Sequence, residues 1–290
     1  MTRVLAIAAS LAVVAALAAP PAWAATTADA QTARRATAWL AAQAPARIPV
    51  GQQADIITNR RITGAPAASL RAPLARLAPR AAAYASTPGA IAKIVIAQRA
   101  AGASGPLAGR DYLAALTRAQ RNGRYGTTAF DQSLAMIALR VAGRPIPPSA
   151  VRVLTGGRSG RAWSFDLSAT DAPDVDSTSM AIIALRAARV PASSPAITAA
   201  LAWLGSHRTG AGWTLFDGAP PSVDSTALVA RAQLAAGVPR STATAFIRGL
   251  AEPSGAIANT RAVPESRLLA TIAAVPALAG VSLANGFRAG

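Results

Sequence analysis

Apolar residues occur along the chain in blocks of about ten that end at glycine or proline, and the clearest blocks open on an acidic residue. Three blocks share one order: glycine and an aromatic residue, an aspartate, an apolar stretch, and a stop. Their aspartates, Asp131, Asp176 and Asp224, lie 45 and 48 residues apart. Weaker copies of the pattern follow Thr87 and Glu265. A period of this length is typical of repeat proteins, in which each unit is one piece of supersecondary structure.

The repeated unit contains two helical parts of different character. Residues 180–185 are apolar on every side, so a helix formed by them must be buried all round. Residues 195–204 follow Ser194, carry Pro195 at the first helical position and are more mixed. Similar mixed helices are predicted at 37–43, 112–120, 150–154 and 242–250. The unit is therefore a helical hairpin of roughly 40–50 residues that occurs five or six times.

Buried inner helices and half-exposed outer helices fit either an open solenoid or a ring closed on itself. Six such hairpins in a closed ring form an α/α toroid, an (α/α)6 barrel. We predict an all-α fold of five to six hairpins, and the pattern alone leaves the choice between solenoid and ring open. Residues 25–290 are expected to form a single domain, because no Ser/Gly linker divides them.

The first 24 residues have the pattern of a secretory signal peptide. Arg3 precedes an apolar run to Ala19, and residues 22–24 form a small-x-small cleavage site. The run is short for a membrane span, which needs about 20 residues. We predict export, cleavage after Ala24, and no transmembrane segment in the mature chain.

The formal net charge of +17 comes from 29 basic and 12 acidic residues, and all basic residues except Lys93 are arginines. They are scattered, with no nucleic-acid-binding motif, so no nucleic-acid partner is expected. A solvated basic surface is one interpretation, and contact with anionic envelope polymers is the other. The absence of Cys excludes disulfides and thiol chemistry, and a single histidine, His207, excludes a multi-histidine metal site. No metal or cofactor is expected.

In a closed ring, all inner helices would begin at one end, so the residues around their starts would surround one mouth. We take nine of them as ligand-binding candidates: Tyr125, Asp131, Trp163, Phe165, Asp174, Asp176, Trp213, Phe216 and Asp224. Aromatic faces beside carboxylates suit a planar, sugar-like or cationic ligand. Two structural alternatives remain open. The tryptophans could only fill gaps between repeats, and the recurring aspartates could be helix N-caps.

The Gly-x-Trp, Asp-Ser-Thr and Ala-Leu pattern resembles the repeats of the terpenoid cyclase and protein prenyltransferase superfamily. Residues 112–125 and 203–213 carry it best, although Tyr125 replaces the usual tryptophan and Arg208 lies near the position of the usual glutamine. The resemblance implies an α/α toroid. Protein prenyltransferases hold zinc with Asp, Cys and His, a site that this chain lacks the residues to build.

Two further branches of the resemblance imply different functions. Cyclases that protonate an alkene use Asp-x-Asp-Asp, and residues 174–177 match it with Asp176 as the proton donor, except that Ser177 replaces the last aspartate. Vitamin B12 carriers use a secreted, non-catalytic toroid that is paired with a β domain, which has no counterpart here. Since Asp224 repeats Asp176 one unit later, capping is the simpler role for both aspartates.

We therefore predict a secreted, non-catalytic binding module, with a small hydrophobic or planar ligand, or a second envelope protein, at the mouth. The alternative is a terpene or squalene cyclase-like enzyme with Asp176 as general acid. A third possibility is a polysaccharide-degrading α/α toroid, in which Asp176 and Asp224 would act as acid and base across a glycosidic bond.

Overall fold

A computed structural model describes residues 24–216, 218–262 and 266–288. In these ranges the chain forms twelve α-helices. Six lie on the outside: α1 (Thr27–Ala41), α3 (Arg71–Tyr84), α5 (Tyr112–Arg118), α7 (Pro148–Gly156), α9 (Pro195–Ser206) and α11 (Ser241–Arg248). Six alternate with them on the inside: α2 (Val50–Ile62), α4 (Pro88–Ala100), α6 (Ala129–Val141), α8 (Val175–Ala187), α10 (Val223–Ala236) and α12 (Arg267–Ala279).

Two short antiparallel hairpins precede α8 and α10. The first pairs β1 (Arg158–Ser159) with β2 (Ala162–Trp163), and the second pairs β3 (Arg208–Thr209) with β4 (Gly212–Trp213). Gly160 and Gly210 occupy the first turn position of these hairpins with φ near +60°, a conformation that glycine adopts without strain. Two 3-10 turns, Pro45–Arg47 and Ala67–Leu70, complete the regular structure.

The inner helices form a closed ring. Each packs against the next along the chain, and α12 packs against α2. Each outer helix from α3 onwards covers the inner helix before it, and α1 covers α12 in the same way. The predicted all-α arrangement of inner and outer helices is therefore present with six hairpins. The hairpins form a closed ring and not an open solenoid.

The burial of the two layers follows from their sequences. Eleven of the thirteen residues of α8 are buried, and most of these are Ala, Ser or Ile. In α9 only Ile197, Ala200 and Leu204 are buried, a stripe that faces the inner layer. Small residues on several inner helices let neighbouring backbones approach closely. The core thus lies between the two layers and between adjacent inner helices.

The seam between α2 and α12 depends on a proline. Pro276 lies inside α12 and has no N–H, so the carbonyl of Ile272, four residues earlier, has no partner within the helix. Buried Asn59 of α2 donates its side-chain amide to that carbonyl over 2.8 Å. The hydrogen bond that the proline removes from α12 is replaced by one that joins the ends of the ring.

Asn59→Ala is expected to lower the free energy of unfolding by about 1–3 kcal/mol, because it leaves a buried carbonyl without a donor. Urea denaturation would measure the change. Adding Pro276→Ala supplies the missing N–H of α12, so the double variant should recover part of the loss. Equal stability of the Asn59→Ala variant and the wild type would contradict this account of the seam.

The predicted helix at 37–43 is the C-terminal part of α1, which begins ten residues earlier. Its N-cap, Thr26, accepts a hydrogen bond from the amide of Asp29, whose carboxylate in turn accepts from the Thr26 amide. Such a reciprocal pair fixes a helix start. No helix in the described ranges is long and apolar enough to cross a membrane. The predicted signal sequence falls almost wholly outside the described residues.

Candidate functional site

The loops before the inner helices fold back onto the helix that follows. The backbone amide of Trp163 donates to Thr178 Oγ1 over 3.0 Å, and its indole N–H donates to the carbonyl of Leu154 at the end of α7. Trp213 repeats both bonds, to Thr226 over 2.9 Å and to Leu204 at the end of α9. Each tryptophan therefore ties the end of an outer helix to the start of an inner one.

This role places three of the nine candidates inside the scaffold. Trp163, Trp213 and Tyr125 are 0%, 3% and 1% exposed. The amide of Tyr125 donates to Oε1 of Gln132, which stands where the other repeats have threonine. These rings pack between repeats, as the gap-filling interpretation expected, and they offer no surface to a ligand at the mouth.

The interpretation of the recurring aspartates as equivalent N-caps is wrong. The cap of α8 is Asp174, which accepts from the amide of Ser177 over 2.7 Å, and the cap of α10 is Ser222. Asp176 and Asp224 are the second residues of these helices. The cap falls two residues earlier because the backbone is still extended at Asp174 and Ser222.

Asp131 has a different place from both. It is the third residue of α6, and its Oδ1 accepts from the amide of Gly89 in the first turn of α4 over 2.8 Å. A β-carbon on Gly126 would overlap the other oxygen of this carboxylate. Asp131 thus links two neighbouring inner helices and does not join the other carboxylates.

Asp174, Asp176 and Asp224 lie together where α8 and α10 begin. Burial raises the pKa of Asp176 to about 6; a hydrogen bond with Ser225 opposes the rise, and the charges of Asp174 and Asp224 add to it. Burial also raises the pKa of Asp174 and of Asp224. Oδ1 of Asp176 is buried and has no hydrogen-bond partner among the described residues. Of the three aspartates, Asp176 has the most strongly raised pKa.

The ring encloses a central cavity of about 290 Å³. Residues from all six inner helices line it: Asp55, Thr58, Asn59, Lys93, Ile96, Phe130, Leu134, Met180, Asp224, Leu228, Arg231, Leu269, Ile272, Ala273 and Pro276. Most of these side chains are apolar. Of the nine candidates only Asp224 belongs to the cavity wall.

Besides Asp224, three charged side chains lie on this wall, Asp55, Lys93 and Arg231, and the sequence pattern did not place them there. Lys93 Nζ pairs with Asp55 Oδ2 over 2.7 Å, and the negative charge of Asp55 raises the pKa of Lys93 against the effect of burial. Burial lowers the pKa of Arg231 to about 10, an effect that Asp55 opposes. The sequence signal for such residues is a lysine or arginine within an otherwise apolar inner helix, because that helix has no solvated face.

The C-terminal segment closes the end of the cavity opposite the mouth. Residues 281–284 are buried, and the side chain of Leu283 lines the cavity. Arg231 Nη2 donates to the carbonyl of Ser282 over 3.3 Å, and Arg140 Nε donates to that of Ala284 over 3.3 Å. Since Arg231 belongs to α10 and Arg140 to α6, the segment crosses the ring. It forms a floor, so the cavity opens at the mouth.

A second space, of about 430 Å³, lies between the two loops that precede α8 and α10. Phe165 and Phe216 are 54% and 69% exposed there. Trp203 stacks on His207 with ring centroids 3.8 Å apart. The groove also contains three acidic residues, Asp166, Asp171 and Asp174. Candidates Phe165, Asp174 and Phe216 therefore meet in this groove, apart from the central cavity.

In the part of the chain that the structure describes, no group of three His, Cys, Asp or Glu residues could hold a metal ion. The site therefore consists of two spaces. One is a central cavity with mainly apolar walls and charged side chains from α2, α4 and α10, and the other is an aromatic and acidic groove.

Comparison of the sequence with known protein families and with curated proteins finds no match. Among solved structures, the type II terpene cyclase MstE from Scytonema is similar, with a TM-score of 0.64 over 87% of this chain and 97% of that one, at 15% sequence identity. A variant of MstE in complex with geranylgeranyl dihydroxybenzoate, its substrate, has a TM-score of 0.62 over 89% and 97%, at 14% identity. At such identity the likeness concerns the fold. The predicted resemblance is confirmed at that level, and the chain has the terpenoid cyclase-like α/α-toroid fold.

Proposed function

We propose that this chain is an exported, non-catalytic binding module whose central cavity takes a small, largely apolar ligand. The observation that carries the proposal is the cavity itself, about 290 Å³ in volume and enclosed by the inner helices and the C-terminal floor. Concave, mainly apolar spaces with a few convergent polar groups are the usual form of small-molecule sites. That MstE holds a geranylgeranyl compound within the same fold also supports an apolar ligand.

The ligand would enter from the mouth. Leu269, at the start of α12, is 47% exposed and also lines the cavity, so it lies on the rim. Phe130 lines the cavity at the start of α6, with its ring centroid 6.3 Å from that of Phe165 in the groove. Apolar side chains that stand in solvent at the edge of a cavity offer first contact to an apolar molecule.

Export remains part of the proposal. Cleavage after Ala24 would leave the capping pair of Thr26 and Asp29 intact, so α1 could form without the leader. Since α1 covers α12 and completes the outer layer, an intact start of α1 matters for the ring. A module of this kind would act outside the cytoplasm as a carrier or receptor for its ligand.

Ala273→Phe tests the proposal by filling the cavity from the wall of α12. Titration with the fluorescent apolar probe N-phenyl-1-naphthylamine should show binding to the wild type and at least about tenfold weaker binding to the variant, since overlap removes the space for the probe. Ala202→Phe makes the same change on the exposed face of α9 and should bind as the wild type does. Equal affinity of the wild type and Ala273→Phe would contradict the proposal.

A cyclase-like enzyme with Asp176 as general acid is the second candidate, because the raised pKa of Asp176 and its unpartnered Oδ1 suit a proton donor. Two observations favour the binding module over it. Asp176 is not among the residues that line the cavity, and Phe130 is the single aromatic side chain among the described residues that do. Turnover of a prenyl substrate by the wild type, lost in Asp176→Asn, would overturn the non-catalytic assignment.

A further inference from the structure

The charges on the wall of the central cavity do not balance below its mouth. Asp55 of α2 is the partner of Lys93 of α4. Arg231 of α10 lies on the same wall, but among the described residues no carboxylate stands within ion-pair distance of its guanidinium. Two cations therefore share the field of one carboxylate, which leaves a local excess of one positive charge.

Asp224 does not supply the missing negative charge, although it lines the same cavity. It precedes Arg231 by seven residues on α10, which places it about 10 Å farther along the helix axis, at the mouth. Its carboxylate interacts with the side chain of Asn259, and its charged neighbour is Asp176. The mouth is therefore acidic, whereas the wall below it, around Lys93 and Arg231, is cationic.

Arg231 also retains hydrogen-bonding capacity. Its Nη2 donates to the carbonyl of Ser282 in the floor, whereas its Nε is buried and has no hydrogen-bond partner among the described residues. Burying a charged donor without a partner is costly, so the position calls for an anion. A guanidinium held by one bond can still pair with a carboxylate through its other N–H groups.

We propose that the ligand of the central cavity is an amphiphile with one negative charge, a medium-chain carboxylate whose head group pairs with Arg231. This inference rests on the proposed function and names its ligand class. The head lies beside Arg231, in the field that this residue shares with the Lys93–Asp55 pair, because one carboxylate cancels the single excess charge. The chain extends towards the mouth along Leu134, Met180 and Leu228, which are apolar and lie on the cavity wall.

Calorimetric titration with decanoate and with decanol tests the head group separately from the chain. The wild type should bind decanoate about 10- to 100-fold more tightly than decanol, the range expected for hydrogen bonds to a charged group. Arg231→Met keeps the length of the side chain without its charge, and it should lose this preference while its affinity for decanol stays the same. Arg152→Met, at an exposed site on α7, should bind both compounds as the wild type does.

Three outcomes would overturn the inference. Equal affinity of the wild type for decanoate and decanol would contradict an anionic head group, and it would leave the proposed apolar site intact. Binding of neither compound would contradict the proposed function as well. Tighter binding of decyl phosphate than of decanoate would assign the site to a phosphate head group instead. Arg231→Lys, which keeps the charge, should retain part of the preference, and thermal unfolding of each variant verifies that it is folded.

Discussion

Trp163→Ala is expected to lower the free energy of unfolding by about 3–5 kcal/mol, the range for removing a large aromatic side chain from a core. The indole is wholly buried between α7 and α8. Its removal leaves a cavity, and it also leaves the carbonyl of Leu154 without the donor that caps the end of α7. Urea denaturation followed by circular dichroism would measure the loss.

Trp203→Ala provides the matched control, because it deletes the same side chain from the partly exposed face of α9. Trp203 stacks on His207 and lines the open groove, so solvent can replace much of what it contacts. Its loss should cost less than half as much as that of Trp163. If the two variants are equally destabilised, the tryptophan that joins the repeats does not have the structural role assigned to it.

The repeat pattern predicted the inner helices best where they are apolar on all sides. The pattern indicates α6, α8 and α10, but it does not indicate α2 or α3. In α2, Asp55, Thr58 and Asn59 face the cavity or the seam, so the all-apolar signature is absent. In α3, Pro79 lies inside the helix and interrupts the expected pattern. Both helices depend on tertiary contacts, which hydrophobic periodicity alone does not show.

Asp131 and Asp176 are the same residue type in neighbouring repeats, but they occupy different positions in their helices. Thr178 and Thr226 hold equivalent places, because each accepts from the amide of the tryptophan before its helix. Gln132 makes the corresponding bond to Tyr125, so Asp131 stands one position later in its helix than Asp176 does. Because the spacing of similar residues was nearly constant, the sequence suggested equivalence. Only the hydrogen bonds define the correct register.

The charges on the cavity wall could have been predicted in part from the sequence. Lys93 and Arg231 are each surrounded in the sequence by apolar residues of helices that must be buried, so their side chains had to point inward. The interpretation of the basic residues as a solvated surface is wrong for these two, which lie on the cavity wall. Their approach to Asp55, from a third helix, depends on the closure of the ring and could not be read from local pattern.

Asp176→Asn is expected to stabilise the protein at pH 7.5 and to have little effect at pH 4. Because burial raises the pKa of Asp176 from 3.8 to about 6, the folded state binds this proton more tightly than the unfolded state does. The contribution of Asp176 to stability is therefore fully present below pH 4 and is lost as the pH rises through 6. Above that pH the ionised carboxylate costs about 3 kcal/mol, at 1.36 kcal/mol per pKa unit.

Asparagine avoids this cost, since it does not ionise. Urea denaturation of the variant and the wild type at both pH values would give the difference, and Asp171→Asn, on the exposed loop before α8, should show the same difference at each pH. A pH-independent effect of Asp176→Asn would contradict a raised pKa, and it would also remove the chief support for Asp176 as a proton donor. A pH-dependent effect without turnover of a prenyl substrate would mean that burial and the two neighbouring carboxylates account for the raised pKa, because a buried carboxyl between two others needs no catalytic role to hold its proton.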